Sequence, residues 1–334
     1  MPRPTSILAA ITAQELAHFL PEPLLSEVRG LTDRFDHLNP GNLSPAEFHR
    51  KLAEINPEIL ITCWKTPSLP EQLPPNLRYL CHLSGSLRKI IQRSHLDRGL
   101  LASNWGGSIS RIVAEWALFH ILSCLRRATL WNLAMHREGG WKNGDTETAS
   151  LFGRRVGLHG FGRVARELTG LLRPFDCTVT AFAPDIDAAA EERYRVKSAP
   201  SLEALFSENE IIIELAPLIP ATTGLITEEL LRRIRPGGVF VNVGRGAVVD
   251  EAALLRVAQE GKIAVGLDVF TVEPLPKDSG FRGLPNVTLT PHLAGPTTDR
   301  RRDAGAFALE NLRAYAKDQP LKAVITPGTY DTST

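Results

Sequence analysis

Cysteine is scarce in this chain of 334 residues. The four cysteines, Cys63, Cys81, Cys124 and Cys177, are scattered and form no C-x-x-C pair. Zinc sites and disulfide frameworks normally show paired or regularly spaced cysteines, so this spacing indicates neither. We interpret the cysteines as buried thiols in a reducing compartment. No metal site is predicted.

An excess of charge of either sign is also missing. Lys and Arg number 38 against 37 Asp and Glu, which leaves a formal net charge of +1 at pH 7. Nucleic acids and anionic membranes normally select a basic patch or stripe. We therefore expect neither of them as a partner.

Long apolar runs are absent as well. The longest, WALFHILSCL at 116–125, is shorter than the roughly 20 residues of a membrane-spanning helix. The N-terminal run SILAAI is short and is soon followed by Glu15, which is unlike a secretory signal peptide. These observations predict a soluble, cytoplasmic protein.

What the chain does contain is an alternation of two patterns. Apolar runs typical of strands occur at 6–11, 58–64, 155–160, 178–182, 211–215, 238–243, 262–270 and 287–290. Helical periodicity occurs at 108–127, 164–172, 228–234, 251–260 and 297–317. Such alternation predicts an α/β fold, in which helices cover both faces of a parallel sheet.

The length and the proline distribution predict two domains. A chain of this length exceeds what one hydrophobic core usually supports, and nine prolines fall between residues 21 and 75. We predict a smaller, flavodoxin-like α/β substrate domain made of residues 1–104 and 296–334. Residues 105–295 are predicted to form a Rossmann-type, doubly wound dinucleotide-binding domain. The tail, 326–334, is expected to be frayed.

A glycine-rich loop follows the apolar run at 155–160. In VGLHGFGRVA, the residues Gly160, Gly162 and Ala165 fit a G-x-G-x-x-G/A pattern between a strand and a helix. Glycines at a strand end can also serve only a tight turn, but amides at a helix N-terminus bind phosphate. We therefore predict a dinucleotide site. Its candidate contacts are Gly160, Phe161, Gly162, Arg163 and Val164.

The choice between NAD and NADP depends on the end of the second strand. A carboxylate about 20 residues after the glycines normally binds the adenosine ribose, but Ala183 stands there. Asp185 can replace it, or can act as the N-cap of the following helix. No Arg or Lys directly after Ala183 would attract a 2′-phosphate. The pattern favours NAD, and NADP stays open as the alternative.

Three further stretches carry polar residues just past apolar runs, where open α/β sheets bind ligands. They are VNVGRGAVVDEAAL at 241–254, GLDVFTVEPLP at 266–276 and TLTPHLAGPTT at 288–298. With Arg245, Glu273 and His292 in this order, they resemble the D-isomer-specific 2-hydroxyacid dehydrogenase family. The resemblance covers nearly the whole chain and is strongest from 105 to 296.

The resemblance implies an NAD(P)-dependent oxidoreductase that transfers a hydride between NAD(P)H and a 2-oxo acid or D-2-hydroxy acid. Arg245 would anchor the carboxylate, because a planar guanidinium binds it in bidentate fashion. His292 would exchange the proton, and Glu273 would orient its imidazole. Singly, each residue also fits a structural role in a turn, a loop or the core.

Further cofactor contacts are implied by the same resemblance. Asp268 matches the carboxylate that contacts the nicotinamide amide, and Pro217 and Thr222 match a cofactor-lining P-L-T-x-x-T segment. Positions beside the nicotinamide are matched by Val243 and Gly295. The implied cofactor contacts outside the glycine loop are therefore Ala183, Asp185, Pro217, Thr222, Val243, Asp268 and Gly295.

The substrate loop departs from the family pattern. Many members read like GxGxDNID there, whereas this chain has HLSGSLRKII at 82–91. Ser84, Gly85 and Ser86 can still offer backbone amides to the substrate carboxylate, together with Arg245. Arg88 is either a surface charge in a turn or a group that favours a bulkier or more anionic acid. The identity of the acid stays open.

The resemblance also implies a homodimer, since relatives associate through the helix at 109–122 and the segment 130–141. A different class of function is a catalytically weak NAD(H)-sensing or corepressor-like binding protein on the same scaffold. Oxidation of formate or phosphite is a third possibility. The complete set of Arg245, Glu273 and His292 favours the enzyme.

Overall fold

The structure is a computed structural model that describes residues 4–144, 146–184 and 186–332. Its internal contacts divide the chain into two compact units. The first unit is formed by Met1–Ile109 and Pro296–Thr334, and the second by Ser110–Gly295. No helix in these described ranges is both long and apolar enough to cross a membrane.

Strands and helices alternate along both units. The strands are β1 (Ile7–Ala10), β2 (Phe35–His37), β3 (Ile59–Thr62), β4 (Tyr79–His82), β5 (Leu101–Ser103), β6 (Arg155–His159), β7 (Thr178–Phe182), β8 (Val196–Ser198), β9 (Ile211–Glu214), β10 (Val239–Asn242), β11 (Ala264–Leu267) and β12 (Val287–Leu289). The α-helices are α1 (Ala13–Phe19), α2 (Leu24–Arg29), α3 (Pro45–Ile55), α4 (Arg93–Asp97), α5 (Ser110–Leu125), α6 (Ala128–Leu133), α7 (Arg163–Leu172), α8 (Ala188–Tyr194), α9 (Leu202–Glu208), α10 (Glu228–Arg232), α11 (Glu251–Gln259), α12 (Arg301–Ala316) and α13 (Pro327–Thr332).

The sheet of the first unit is parallel and has the strand order β2-β1-β3-β4-β5. Numbered along the chain, this is the order 2-1-3-4-5 of flavodoxin-like folds. The flavodoxin-like interpretation is confirmed. Helices α12 and α13 belong to this unit although they follow the whole second unit in the sequence.

The sheet of the second unit is parallel throughout, in the order β12-β11-β10-β9-β6-β7-β8. Read from β8, it starts 3-2-1-4-5-6, the order of doubly wound dinucleotide-binding folds. The order reverses between β6 and β9, which pair directly. Ligands of open α/β sheets bind at such a reversal, outside the carboxyl ends of the strands.

Both faces of this second sheet are covered. Successive residues of a strand point to opposite faces, and in β10 Phe240 packs into one buried cluster while Val239 and Val241 pack into the other. All four residues of β10 are buried. The predicted continuous apolar strands, covered by helices on two sides, are confirmed.

Several short strands were not predicted from the sequence, and the structure of the tail was predicted wrongly. Strands β2, β5 and β8 are three residues each, too short for a pattern of period two, and His82 interrupts the apolar run of β4. The expectation of a frayed tail is wrong for 327–332, which form α13. Asp187, not Asp185, caps α8 by accepting a hydrogen bond from the Ala190 amide at 2.7 Å.

Candidate active site

Three neighbouring strands of the second unit carry the polar residues singled out by the sequence. Arg245 follows β10, Glu273 follows β11 and His292 follows β12. Because β10, β11 and β12 are parallel and adjacent, their carboxyl ends lie at one edge of the sheet. The topology therefore gathers the three loops on one side.

The loop that carries Arg245 is held by two contacts. The buried side chain of Asn242 accepts a hydrogen bond from the Gly244 amide at 3.0 Å and donates one to the Arg245 carbonyl at 3.1 Å. Gly246 approaches Phe270 so closely that an added Cβ would lie 2.0 Å from its carbonyl carbon. Only glycine permits this approach, which brings the Arg245 loop against the segment leading to Glu273.

The Arg245 guanidinium is partly buried and interacts electrostatically with the Glu273 carboxylate. Burial lowers the pKa of Arg245, and the negative charge of Glu273 acts in the opposite direction. A guanidinium stays protonated in proteins despite such a shift. Arg245 is thus a permanent positive charge close to the Glu273 carboxylate.

Glu273 and His292 are hydrogen-bonded to each other. The His292 Nδ1 lies 2.7 Å from Glu273 Oε2, and the other carboxylate oxygen accepts the Phe270 amide at 3.0 Å. A carboxylate is only an acceptor, so Nδ1 must carry the hydrogen. This contact leaves Nε2 of the imidazole as the atom that can exchange a proton.

The segment around His292 is fixed by Asp268. His292 has a φ of 54°, in the left-handed region that side chains rarely adopt. Its amide donates to the Asp268 carbonyl at 2.8 Å, and the amides of Leu293 and Ala294 each donate to the Asp268 carboxylate at 2.8 Å. These hydrogen bonds compensate for the unusual backbone of the catalytic candidate.

Asp268 is itself enclosed in a polar cluster. Its side chain has no exposed surface and accepts hydrogen bonds from Trp116 Nε1 at 3.1 Å and Thr290 Oγ1 at 2.6 Å. Because the Thr290 hydroxyl donates to Asp268, it accepts from His120 Nε2 at 2.9 Å. Burial lowers the pKa of His120 to about 4, so this histidine is neutral near pH 7.

The glycine loop has the geometry expected of a pyrophosphate site. Gly160 has a φ of 91°, and a Cβ on it would lie 2.8 Å from the Ala216 nitrogen. Gly162 is the N-cap of α7, and a Cβ there would meet no atom within 4 Å. The first amides of a helix have no partner within it, so the start of α7 offers donors across open space. These residues fit a dinucleotide phosphate.

Side chains of the glycine loop differ in exposure. Phe161 is buried and packs edge-on against Tyr194 at 5.6 Å, with Arg166 over its ring. Gly162 and Arg163 are exposed at the start of α7, and Val164 is partly buried. Phe161 therefore supports the loop from behind, while the exposed residues face outward.

The described candidates Ala183, Pro217 and Val243 follow parallel strands of one sheet and so lie at the same edge. Ala183 directly follows β7 and is partly buried, whereas Asp185 lies outside the described residues. The Thr222 hydroxyl donates to the Pro217 carbonyl at 2.6 Å and so closes the loop after β9. Val243, directly after β10, is buried, and Gly295 ends the second unit.

A buried contact ties β6 to β9 at the reversal of the strand order. His159 Nδ1 lies 2.5 Å from Glu214 Oε2, and Glu214 Oε1 accepts the Ala216 amide at 2.7 Å. His159 immediately precedes the glycine loop, and Ala216 precedes Pro217. One pair of side chains thus joins the bases of two predicted cofactor loops.

The substrate-loop candidates lie in the first unit, after β4. Ser84 is buried, and its hydroxyl is 2.6 Å from Nε2 of the buried His82. The other ring nitrogen of His82 is 2.8 Å from the Thr62 hydroxyl. Burial lowers the pKa of His82 to about 3, so a neutral imidazole steadies the base of the loop.

Sequence reasoning missed the residues that hold these loops, namely Asn242, Trp116, His120, Thr290, His82, His159 and Glu214. For some of these residues the sequence itself indicates a structural role. Asn242, His82, His159 and Glu214 each interrupt or end an apolar strand, and a polar residue in such a place usually has a partner. The partners themselves could not be read from the sequence.

The chain is similar in sequence to known proteins. Residues 118–294 match the family model described as D-isomer specific 2-hydroxyacid dehydrogenase, NAD binding domain. The chain is 32% identical to hydroxyphenylpyruvate reductase of Plectranthus scutellarioides over 249 residues, 74% of this chain and 78% of that protein. It is 32% identical to glyoxylate/hydroxypyruvate reductase B of Pectobacterium atrosepticum over 236 residues, 69% of this chain and 73% of that protein.

A solved structure shows the same fold. The apo form of D-mandelate dehydrogenase from Rhodotorula graminis superimposes with a TM-score of 0.83, covering 97% of this chain and 98% of that one at 22% identity. At this identity the likeness concerns the fold alone.

The doubly wound sheet, its glycine loop and the matched NAD-binding domain place the chain among the dinucleotide-binding α/β oxidoreductases. Within that class, the chain belongs to the D-isomer-specific 2-hydroxyacid dehydrogenase family. The family resemblance drawn from the sequence is confirmed.

Proposed function

We propose that this protein is an NAD(P)-dependent D-2-hydroxyacid dehydrogenase, which reduces 2-oxo acids and oxidises the corresponding D-2-hydroxy acids at their CH–OH group. The observation that carries the proposal is the 2.7 Å hydrogen bond between Glu273 and His292, with the charge of Arg245 close by. This reaction requires two protein groups: an imidazole that exchanges a proton, and a cation that binds the substrate carboxylate.

Each of the three residues has a distinct task in the proposed mechanism. The Arg245 guanidinium binds the substrate carboxylate and polarises the neighbouring carbonyl. His292 Nε2 donates a proton to the carbonyl oxygen during reduction and accepts it during oxidation. Glu273 holds Nδ1–H and stabilises the imidazolium form. The nicotinamide, when bound, supplies or accepts the hydride.

The dinucleotide is proposed to bind along the carboxyl edge of the second unit. Open space at Gly162 and the first amides of α7 support a pyrophosphate held by residues 160–164. Other proposed cofactor contacts are Ala183, Asp185, Pro217, Thr222, Val243, Asp268 and Gly295. Asp268 is fully enclosed, so we assign it chiefly to fixing the segment that carries His292.

We propose NAD over NADP as the cofactor, since no basic residue directly follows Ala183. We assign the substrate to the first unit, predicted as residues 1–104 and 296–334, and the cofactor to the second, predicted as 105–295. Within the first unit, Ser84, Gly85 and Ser86 are proposed to offer backbone amides to the substrate carboxylate.

A paired screen of cofactors and acids tests the proposal. Purified protein is incubated with NADH or NADPH and with glyoxylate, hydroxypyruvate, pyruvate, phenylpyruvate and hydroxyphenylpyruvate, and cofactor oxidation is followed by absorbance. The names of the two relatives above motivate hydroxypyruvate, glyoxylate and hydroxyphenylpyruvate. We expect turnover with at least one acid, faster with NADH, and a D-configured product.

The outcomes separate the candidate functions. Tight dinucleotide binding without turnover on any acid would contradict the proposal and favour a cofactor-sensing protein. Turnover with formate or phosphite alone would contradict the substrate assignment. Faster reaction with NADPH would overturn only the choice of cofactor.

We also propose that the protein is a homodimer. Phe119, Met135 and Trp141 are 43%, 51% and 73% exposed, and they lie within or beside the two segments through which relatives were expected to associate. Large exposed apolar side chains are common at protein interfaces. Light scattering coupled to gel filtration should give about twice the mass of 36.7 kDa, whereas a single-chain mass would contradict the proposal.

A cytoplasmic location is proposed from the thiols. All four cysteines are free, and three of them are buried. Free thiols persist in reducing compartments. Cell fractionation with an antibody against the chain should find it in the soluble fraction, and recovery from an oxidising compartment would contradict the assignment.

A further inference from the structure

The C-terminal helix α13 is fastened to the segment that follows the proposed substrate loop. The Tyr330 hydroxyl donates to the Ile91 carbonyl at 2.9 Å. Arg93 forms an ion pair with Asp331 at 2.9 Å. The helix therefore contacts residues only a few positions beyond Ser86, although it lies at the other end of the chain.

Arg88 makes the contact nearest to the loop. Its Nη2 donates to the carbonyls of Tyr330 and Asp331 at 2.8 and 3.2 Å, and its guanidinium lies 5.3 Å from the centre of the Tyr330 ring. Carbonyls near a helix C-terminus carry partial negative charge. The contact thus combines charge-assisted hydrogen bonds with a cation–π interaction. The structure gives Arg88 a partner that neither sequence-based interpretation of it foresaw.

The orientation of the loop amides is set by residues 104 and 105. Asn104 Nδ2 donates to the Gly85 carbonyl at 2.7 Å, and the Trp105 amide donates to the Ser84 carbonyl at 3.3 Å. In a trans peptide the carbonyl and the following N–H point in opposite directions. The amides of Gly85 and Ser86 therefore point away from residues 104 and 105, as donors for an anion would have to.

A small cavity borders both the loop and the helix. A cavity of about 10 Å³ is lined by Gly85, Ser86, Asn104 and Tyr330, among others. That volume is about the space of one water molecule. Gly85, Ser86 and Tyr330 thus border one small space.

We propose that Arg88 is a positioning residue, which uses the C-terminal helix to hold the Ser84–Ser86 amides in the orientation that binds the substrate carboxylate. The proposal rests on the proposed function, because it assigns these amides to the acid. It identifies residues 327–332 as a determinant of affinity for the acid and not of the hydride-transfer step.

The first test is the variant Arg88→Met, which keeps much of the side-chain length and removes the donors. We expect KM for the best 2-oxo acid to rise roughly 3- to 10-fold, the size of one or two lost hydrogen bonds. We expect kcat and KM for NADH to change less than about twofold. Arg88→Lys keeps one charged donor and should recover part of the loss.

Arg98→Met is the matched control. Arg98 is the C-cap residue of α4 in the same unit, and its side chain donates a hydrogen bond to the Glu71 carbonyl. We expect its kinetic constants to equal those of the parent protein. An equal rise of KM in both variants would show a general effect of arginine loss and overturn the proposal.

A second variant ends the chain at Thr326 and so removes α13. Its KM for the acid should rise at least as much as in Arg88→Met, and adding Arg88→Met to it should have no further effect. Hydrogen exchange of the peptide covering residues 84–92 should become faster in both variants. This readout needs no catalysis and no substrate.

The possible failures are distinguishable. If the parent protein turns over no 2-oxo acid, the proposed function fails, whatever the exchange data show. If the parent is active but KM and the exchange of residues 84–92 stay unchanged in both variants, this inference alone is wrong. If kcat falls and KM for NADH rises as strongly as KM for the acid, the variants are generally misfolded. That result would also overturn the inference.

Discussion

The two parallel sheets present different kinds of loop at their carboxyl edges. In the second unit the edge carries charged side chains that contact one another, with Glu273 2.7 Å from His292. In the first unit the edge carries Ser84, Gly85 and Ser86. His82 contacts the Ser84 hydroxyl, Asn104 donates to the Gly85 carbonyl, and the following Arg88 donates to the C-terminal helix. The comparison separates a region in which side-chain identity matters from one in which backbone shape matters.

This difference explains why the sequence matches the family pattern in the second unit and departs from it in the first. In the proposed mechanism a proton can be exchanged only by a group of suitable chemistry, so His292 and its partner have few substitutes. An amide donor is present in every residue except proline. The proposed substrate loop can therefore contain Leu87 and Arg88 and still present amides, provided that its neighbours hold its shape.

The largest effect on turnover is expected from a substitution in the second unit. His292→Ala should lower kcat by about 10² to 10⁴, because the group that exchanges the proton is lost. Steady-state assays of acid reduction measure the effect. His49→Ala, on α3 of the first unit, is the control and should leave kcat unchanged. A rate equal to that of the parent would remove His292 from the mechanism.

The next effect concerns the carboxylate anchor. Arg245→Lys should lower kcat/KM for the acid by about 10², since an ammonium cannot replace the bidentate geometry of a guanidinium. Binding of NADH, measured by fluorescence titration, should be nearly unchanged. Arg256→Lys, at a surface ion pair with Glu228, is the matched control. An intact kcat/KM in Arg245→Lys would exclude the proposed anchor.

A smaller effect is expected in the first unit. A Cβ on Gly85 would lie 3.1 Å from the Trp105 ring, so Gly85→Ala should shift the loop and raise KM for the acid roughly 3- to 10-fold with little change in kcat. Gly170→Ala on α7 adds its methyl group in open space and serves as control. A selective loss of kcat in Gly85→Ala would contradict the assignment of this loop to binding.

The smallest effect on turnover, but a measurable one on stability, comes from the buried histidines. An unfolded histidine binds a proton below about pH 6.5, whereas burial lowers the pKa of His82 to about 3 and of His120 to about 4. The unfolded state binds more protons in this window, so stability falls as the pH drops from about 6.5. Each histidine should lower the free energy of unfolding by about 2 kcal/mol between pH 7.5 and pH 5.

Urea unfolding at pH 7.5 and pH 5 measures this contribution in the parent, in His82→Gln and in His120→Gln. Each variant should lose less stability on acidification than the parent does, by about 2 kcal/mol. A pH dependence identical to that of the parent in one variant would show that the histidine concerned is not neutral in its unit.

Much of the fold followed from local patterns. The continuous apolar run of β10 and the glycines at 160 and 162 predicted a buried parallel strand and a phosphate loop, because strand period and glycine geometry act over a few residues. Strand β8 and helix α13 were missed, because three-residue strands and short polar helices carry too little periodicity. Their formation depends on the elements against which they pack.

The candidate site divides in the same way. The order of Arg245, Glu273 and His292 along the chain indicated the chemistry, since each follows an apolar run that ends at one sheet edge. The anchoring of His292 by Asp268 was not predicted. It requires strands β11 and β12 to lie side by side, and nothing in the sequence states which strands are neighbours.

The sequence by itself determined the residue types and their local geometry: two α/β regions, a glycine loop before a helix and three polar loops after apolar strands. Only the tertiary structure decided which nitrogen of His292 is occupied by Glu273, and which partner Arg88 meets 242 positions away at Tyr330. The reason is physical. Backbone preferences act within a few residues, whereas hydrogen-bond partners are selected by packing, which brings together groups that the chain itself keeps far apart.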